Sequence, residues 1–291
     1  MDDLRPTILA LCISMPLAAI IAVALRVRAR HVQKLKLERD DYTIFIALVL
    51  AIALAVDLAI GCQLGRFGAP LTYKHNGDPD PGSWFNIWGK ASHQIHNTIF
   101  ASQLLWYPCI GLTRISVLLF YSRVFKKRFD RIVTWMTIII AVWMISFDAA
   151  SFYAWAFRPY GENCTSDFIL HVTGASCDIL INVIVLAIPI RAVSKLPTFK
   201  TYRIAIIGTF LVGLLVVTGA VVGLVFAVGL LLEEDIIYYA SIPLYLDIIE
   251  ACVGIQKMQG SGGNHPACLV SITSDPTSQD FRNVGSSLAR W

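Results

Sequence analysis

The chain has 291 residues, of which 56% are hydrophobic and 15% charged, with a mean hydropathy of +0.63. A water-soluble globular domain carries closer to a quarter charged residues, so this balance excludes an ordinary soluble fold and points to an integral membrane protein. The formal charge of +4 comes from basic clusters between apolar blocks, a pattern that faces anionic lipid headgroups and implies no nucleic-acid partner.

A membrane span needs about 20 mostly apolar residues. Seven stretches qualify: Thr7 to Val27, Tyr42 to Leu64, Thr98 to Val124, Ile132 to Ala154, Ile169 to Ile190, Ile204 to Leu232 and Ile236 to Ile255. The first has the acidic flank MDDLRPT and no small-residue cleavage site, so it reads as a transmembrane helix rather than a secretion signal. The expected fold is an all-α, polytopic seven-helix bundle with residues 1–6 as a short outer N-terminus and residues 7–255 as the bundle. Residues 256–291 read as a disordered cytoplasmic tail.

Basic residues set the orientation. The first flank holds Arg26, Arg28, Arg30, Lys34, Lys36 and Arg39, the second Arg123, Lys126, Lys127, Arg128 and Arg131, and the third Arg191, Lys195, Lys200 and Arg203. The opposite side holds only Arg5, Arg66, Lys74, Lys90 and Arg158. The N-terminus is therefore expected outside and the C-terminus in the cytoplasm, with the plasma membrane the first address and an internal membrane the second.

Along the chain, Asp40 and Asp41 open the second helix in ERDDY, where carboxylates cap free N–H groups and meet the positive dipole end. Asp57 in that helix and Asp148 in the fourth lie about 24 to 26 Å above the inner flanks, near the outer surface, and read either as wet residues of the outer rim, the favoured reading, or as a candidate ligand pocket open to the outside. The loop from Gly65 to Asn97 contains HNGDPDPGSW, followed by Trp84, Phe85 and Trp88 at headgroup level. His93 and His96 at its end share a helical face, but no third metal ligand is evident, and no metal is expected. Asn163-Cys164-Thr165 is a candidate glycosylation site on the outer side, and a bridge from Cys62 to Cys164 is sterically conceivable.

The third helix reads GLTRISVLLFYSRVF, and its Arg114 costs at least about 2.5–3.5 kcal/mol in hydrocarbon unless it finds a partner. Helical rise from the basic flanks puts Arg114 about 13 Å in, Asp247 about 15 Å, Glu250 about 10 Å and Asp178 about 20 Å. Glu250 or Asp247 is thus the expected partner, with Asp178 third, and Asn182 one turn from Asp178 extends the polar network. The network could be a clamp between helices three and seven or a two-state switch. Pro189 marks a kink or stop near the end of helix five. In helix six, Gly219 and Gly223 form a GxxxG pair that would permit close helix approach.

Enzyme signatures such as GxSxG, HExxH, a Walker loop or CxxC are missing, so no catalytic residues and no cofactor are expected. A retinal Schiff base needs a buried lysine, and none of the seven spans contains one.

The phrases ERDDY, LGRFG, TRISVLLFYSRVF, LAIPIRAVSKL and EACVGI, in this order and topology, resemble the fungal rhodopsin-domain family of receptor-like, PTH-type seven-helix proteins, over about residues 15 to 255. The resemblance implies a receptor-like protein of fungal membranes, read here as a sensor of an extracellular small molecule or surface cue in the lipid bilayer, with a cytoplasmic G protein as a hypothesised partner. A transporter or export accessory, or a structural membrane protein of a secondary-metabolite gene cluster, is the alternative. Against the family pattern, Arg114 replaces a lysine, Phe67 a histidine and Phe157-Arg158-Pro159 a Cys-x-Pro phrase. Asp178 and Asn182 exchange places, and an arginine expected late on helix six is absent. Relatives continue apolar beyond EACVGI, where this chain has Gln256-Lys257 and a Gly/Ser tail, as a truncated helix or a gene model reading through an intron would give.

Overall fold

A computed structural model describes residues 5–32, 39–64, 90–125, 130–157, 164–193, 200–229 and 236–263. Among them there is no strand; they form seven helices, α1 (Arg5–Val32), α2 (Arg39–Leu64), α3 (Lys90–Phe125), α4 (Asp130–Phe157), α5 (Cys164–Val193), α6 (Lys200–Gly229) and α7 (Ile236–Gly263). Each neighbouring pair in the chain packs together, and α1 against α7 closes the ring. The third helix is the central post, touching α2, α4, α5 and α7.

Four helices are long and apolar enough to cross a membrane by length and composition among the described residues: Arg5–Val32, Asp40–Gln63, Arg131–Phe157 and Ile169–Ile188, with Gly213–Gly229 a shorter apolar helix. The sequence suggested seven such spans; α3 and α7, the helices that carry Arg114, Asp247 and Glu250, are not among the four. Large apolar side chains cover the outside of the bundle, including Leu25, Val49, Trp135, Ile145, Leu215 and Val225. Such a surface is unsuited to water and suited to lipid, so the chain folds as an all-α membrane bundle.

Three boundaries differ from the expected ones. Helix α3 begins at Lys90, inside the stretch assigned to the loop, and takes in His93 and His96. Helix α5 continues past Pro189 to Val193. Helix α7 runs to Gly263, past the expected end at Ile255, because Gln256, Lys257, Met258 and Gln259 are good helix formers that extend a helix already nucleated by packing. The side chains of His93 and Cys164, the sequon Asn163 and the tail from residue 264 lie outside the described residues.

The core gathers around α3. Trp106 and Tyr107 are fully buried and meet Trp143 edge-on at 6.4 and 5.5 Å between ring centres. Tyr107 owes its position to Gly174 on α5, where a Cβ would collide with the tyrosine hydroxyl and ring. Gly254 on α7 similarly sits where a Cβ would come 3.2 Å from Thr113. The GxxxG pair behaves differently: a Cβ on Gly219 meets nothing within 4 Å, and one on Gly223 makes only ordinary contact with Leu246. Close approach therefore occurs at α3 rather than along α6. Gly174→Ala is expected to destabilise the bundle by about 1–3 kcal/mol through overpacking, and Gly219→Ala to stay within about 0.5 kcal/mol of the parent. Thermal unfolding of both variants in detergent checks this; equal effects would refute the distinction.

Candidate functional site

Arg114 is buried, 6% exposed, about two thirds of the way along the central helix. Its guanidinium forks onto Asp178 of α5: Nη2 donates to Oδ2 at 2.5 Å, and Nη1 forms an ion pair with Oδ1. Nη1 also donates to the backbone carbonyl of Asp178 at 3.1 Å. Planar two-point recognition of this kind is what arginine, and not lysine, provides. On the other side Nη2 reaches Glu250 Oε1 of α7 at 3.5 Å, a looser contact. Arg114 thus ties α3 firmly to α5 and loosely to α7.

The structure reverses the partner order expected from depth. Asp178, ranked third, is the tight partner, and Glu250 is the weak one. Asp247 does not reach Arg114; its Oδ2 instead lies 4.0 Å from His171 Nε2 on α5. Counting rise from basic flanks assumed that all the flanks lie at one level, and it carried no information on which way each side chain points. His171 and Asp178 are seven residues apart on α5, two turns on one face, and Asp247 and Glu250 are three apart on α7, also one face. The two faces meet with His171 opposite Asp247 and Asp178 near Glu250. Asn182, one turn beyond Asp178, is buried, and its Nδ2 has no partner among the described residues.

His171 was missed by sequence reasoning. The usable signal was its spacing of seven from Asp178, which places an imidazole on the face that carries the carboxylate. It is buried, and its ring lies 5.9 Å from that of Trp106.

A cavity opens on this face between α3, α5, α6 and α7, lined by Trp106, His171, Asp178, Asp247 and Glu250 and by Gly219, Gly223 and Pro243. The centre of a water-sized sphere has about 20 Å³ in which to move, enough for one or two water molecules. The absent Cβ atoms of Gly219 and Gly223 leave this space open on the α6 side.

The pocket expected around Asp57 and Asp148 is not where this cavity lies, and neither residue lines it or the smaller one between α3 and α4. Asp57 on α2 and Asp148 on α4 are half-buried, each with one carboxylate oxygen that has no hydrogen-bond partner among the described residues.

A second buried cluster joins α1 to α2. Arg26 donates to Asp40 Oδ2 at 2.6 Å and to Asp41 Oδ1 at 3.0 Å, and Arg30 contacts Asp40 at 2.9 Å and Asp41 at 2.7 Å. The Asp40 carbonyl accepts Ser116 Oγ of α3 at 2.9 Å. Capping alone, the role expected of these aspartates, does not describe them: they are the acidic half of a four-membered ion cluster with side chains 4–5% exposed. Among the described residues no three His, Cys, Asp or Glu side chains are grouped to hold a metal ion.

The family described as the fungal rhodopsin domain matches residues 25–270. A curated relative, "Phomoidride biosynthesis cluster protein H" of a fungal species (strain ATCC 74256), is 26% identical over 232 residues, covering 71% of this chain and 81% of the relative. No solved structure matches.

Proposed function

The chain belongs to the fungal rhodopsin domain family, and from that premise we propose that it is a receptor-like, non-enzymatic sensor of a small molecule or surface cue at the plasma membrane. The proposed orientation has the N-terminus outside, so that the basic ends of the helices face the cytoplasm and a G protein can dock there. The observation that carries the reading is the asymmetric grip on Arg114, tight to Asp178 and loose to Glu250, beside a polar cavity. A contact already near its breaking distance is the natural moving part of a two-state element, because a ligand that binds one arrangement better shifts the balance.

Glu250→Gln keeps the side chain's size and removes the charge on the loose arm. In a strain lacking the native gene, the variant should be expressed at the normal level yet shift the cyclic-AMP response to spent culture medium, which a strain with no copy should lose. A response identical in all three strains sinks the receptor reading. Solute flux in vesicles containing this protein alone would replace it with a transporter. The second reading, a transport or assembly component of a biosynthetic gene cluster, is favoured by the relative's name.

A further inference from the structure

The charges around the cavity do not balance. Asp178, Asp247 and Glu250 line it, and one guanidinium, that of Arg114, serves Asp178 and Glu250. Asp247 is left over. Facing it are His171 from α5, whose Nε2 at 4.0 Å is beyond hydrogen-bond range, and Trp106 from α3. Asp148 of α4 does not line the cavity, and α6 contributes Gly219, Ala220, Gly223 and Leu224, none of them charged. A carboxylate with no cationic group beside it among the described residues except an imidazole nitrogen at 4.0 Å calls for a positive charge.

A second observation comes from another element. Trp106 is 2% exposed and lines the same cavity, yet its indole N–H finds no acceptor among the described residues. A buried donor of this kind calls for an oxygen in the space beside it. The cavity has room for one or two water-sized particles, and its side chains are too dispersed for tight chelation.

We propose that Asp247 and Glu250 hold a small hydrated monovalent cation in this cavity, with a water of its hydration shell accepting the hydrogen bond of Trp106 Nε1. This rests on reading the cavity as the functional site. It makes the α3 to α7 contact sensitive to the cation: a positive charge at Asp247 and Glu250 competes with Arg114 for Glu250 and weakens the loose arm of the grip.

The test uses the purified full chain in detergent, with thermal unfolding followed as N-methylglucamine chloride is replaced by sodium, potassium or methylammonium chloride at constant ionic strength and pH. Binding to the folded state alone raises Tm progressively with cation concentration. Asp247→Asn is expected to weaken the apparent affinity at least about tenfold and Trp106→Phe, which keeps an aromatic ring but loses the N–H, about fivefold. Where Asp247→Asn fails to fold, Trp106→Phe decides. Sodium or potassium acting alone identifies an inorganic ion, and a stronger effect of methylammonium identifies an organic amine. The proposal is overturned if Tm is indifferent to the cation, if only pH moves it, so that the carboxyls carry their own protons, or if both variants titrate like the parent. An intact cation effect with no cellular response would sink the receptor reading alone; the reverse would sink this inference alone.

Discussion

Replacing Arg114 with Leu is expected to cost the bundle about 3–5 kcal/mol, the usual penalty for removing one partner of a buried ion pair. The reason lies in what remains: Asp178, whose side chain is 1% exposed, keeps its carboxylate and loses both arms of the guanidinium. The double variant Arg114→Leu/Asp178→Asn, with no charge left at that corner, should unfold at a higher temperature than Arg114→Leu alone. Arg114→Lys should fall between parent and Leu, since an ammonium supplies charge but not the two-pronged geometry. Thermal unfolding in detergent and the fraction of protein reaching the cell surface measure all three. If Arg114→Leu stays within about 1 kcal/mol of the parent, the Asp178 pair is not a clamp, and the network as a whole is free to switch. The expected outcome divides the roles between the two carboxylates, with Asp178 holding the fold and Glu250 left to move.

The second large effect concerns the α1 to α2 cluster. Asp40→Ala/Asp41→Ala leaves Arg26, with a side chain 5% exposed, and Arg30 without the carboxylates they contact, and is expected to cost about 3–5 kcal/mol. A helix cap lost without ion pairs would cost about 0.5–2 kcal/mol and would be indifferent to Arg26. A double-mutant cycle between Arg26 and Asp40 separates the two accounts. Strong coupling supports the cluster; coupling near zero would return the aspartates to a capping role. Because the Asp40 carbonyl also accepts Ser116 Oγ, the same variants should loosen the end of α2 against α3, seen as faster amide exchange there.

By itself the sequence determined the class of fold and its membrane setting. Apolar blocks of span length, separated by basic flanks, leave few alternatives in lipid, where every backbone polar group must be satisfied within a helix. It also singled out Arg114 as needing a buried partner, because the cost of an unpaired guanidinium depends on its surroundings and not on its neighbours in the chain. The phrases that resemble the fungal rhodopsin domain carried the family, since short motifs in a fixed order survive where overall identity is low.

Only the tertiary structure decided which partner Arg114 takes. Residue number converts to depth at 1.5 Å per residue, but the rotation of one helix about its axis relative to another is set by packing. That rotation made Asp178 the tight partner, sent Asp247 toward His171, and left Asp57 and Asp148 away from the main cavity. The same holds for the glycines: the GxxxG spacing was legible, but whether it marks a close contact or a gap depends on what lies opposite, and here Gly219 faces space while Gly174 faces Tyr107. One-dimensional periodicity fixes which residues share a face; which faces meet is a property of the assembled bundle.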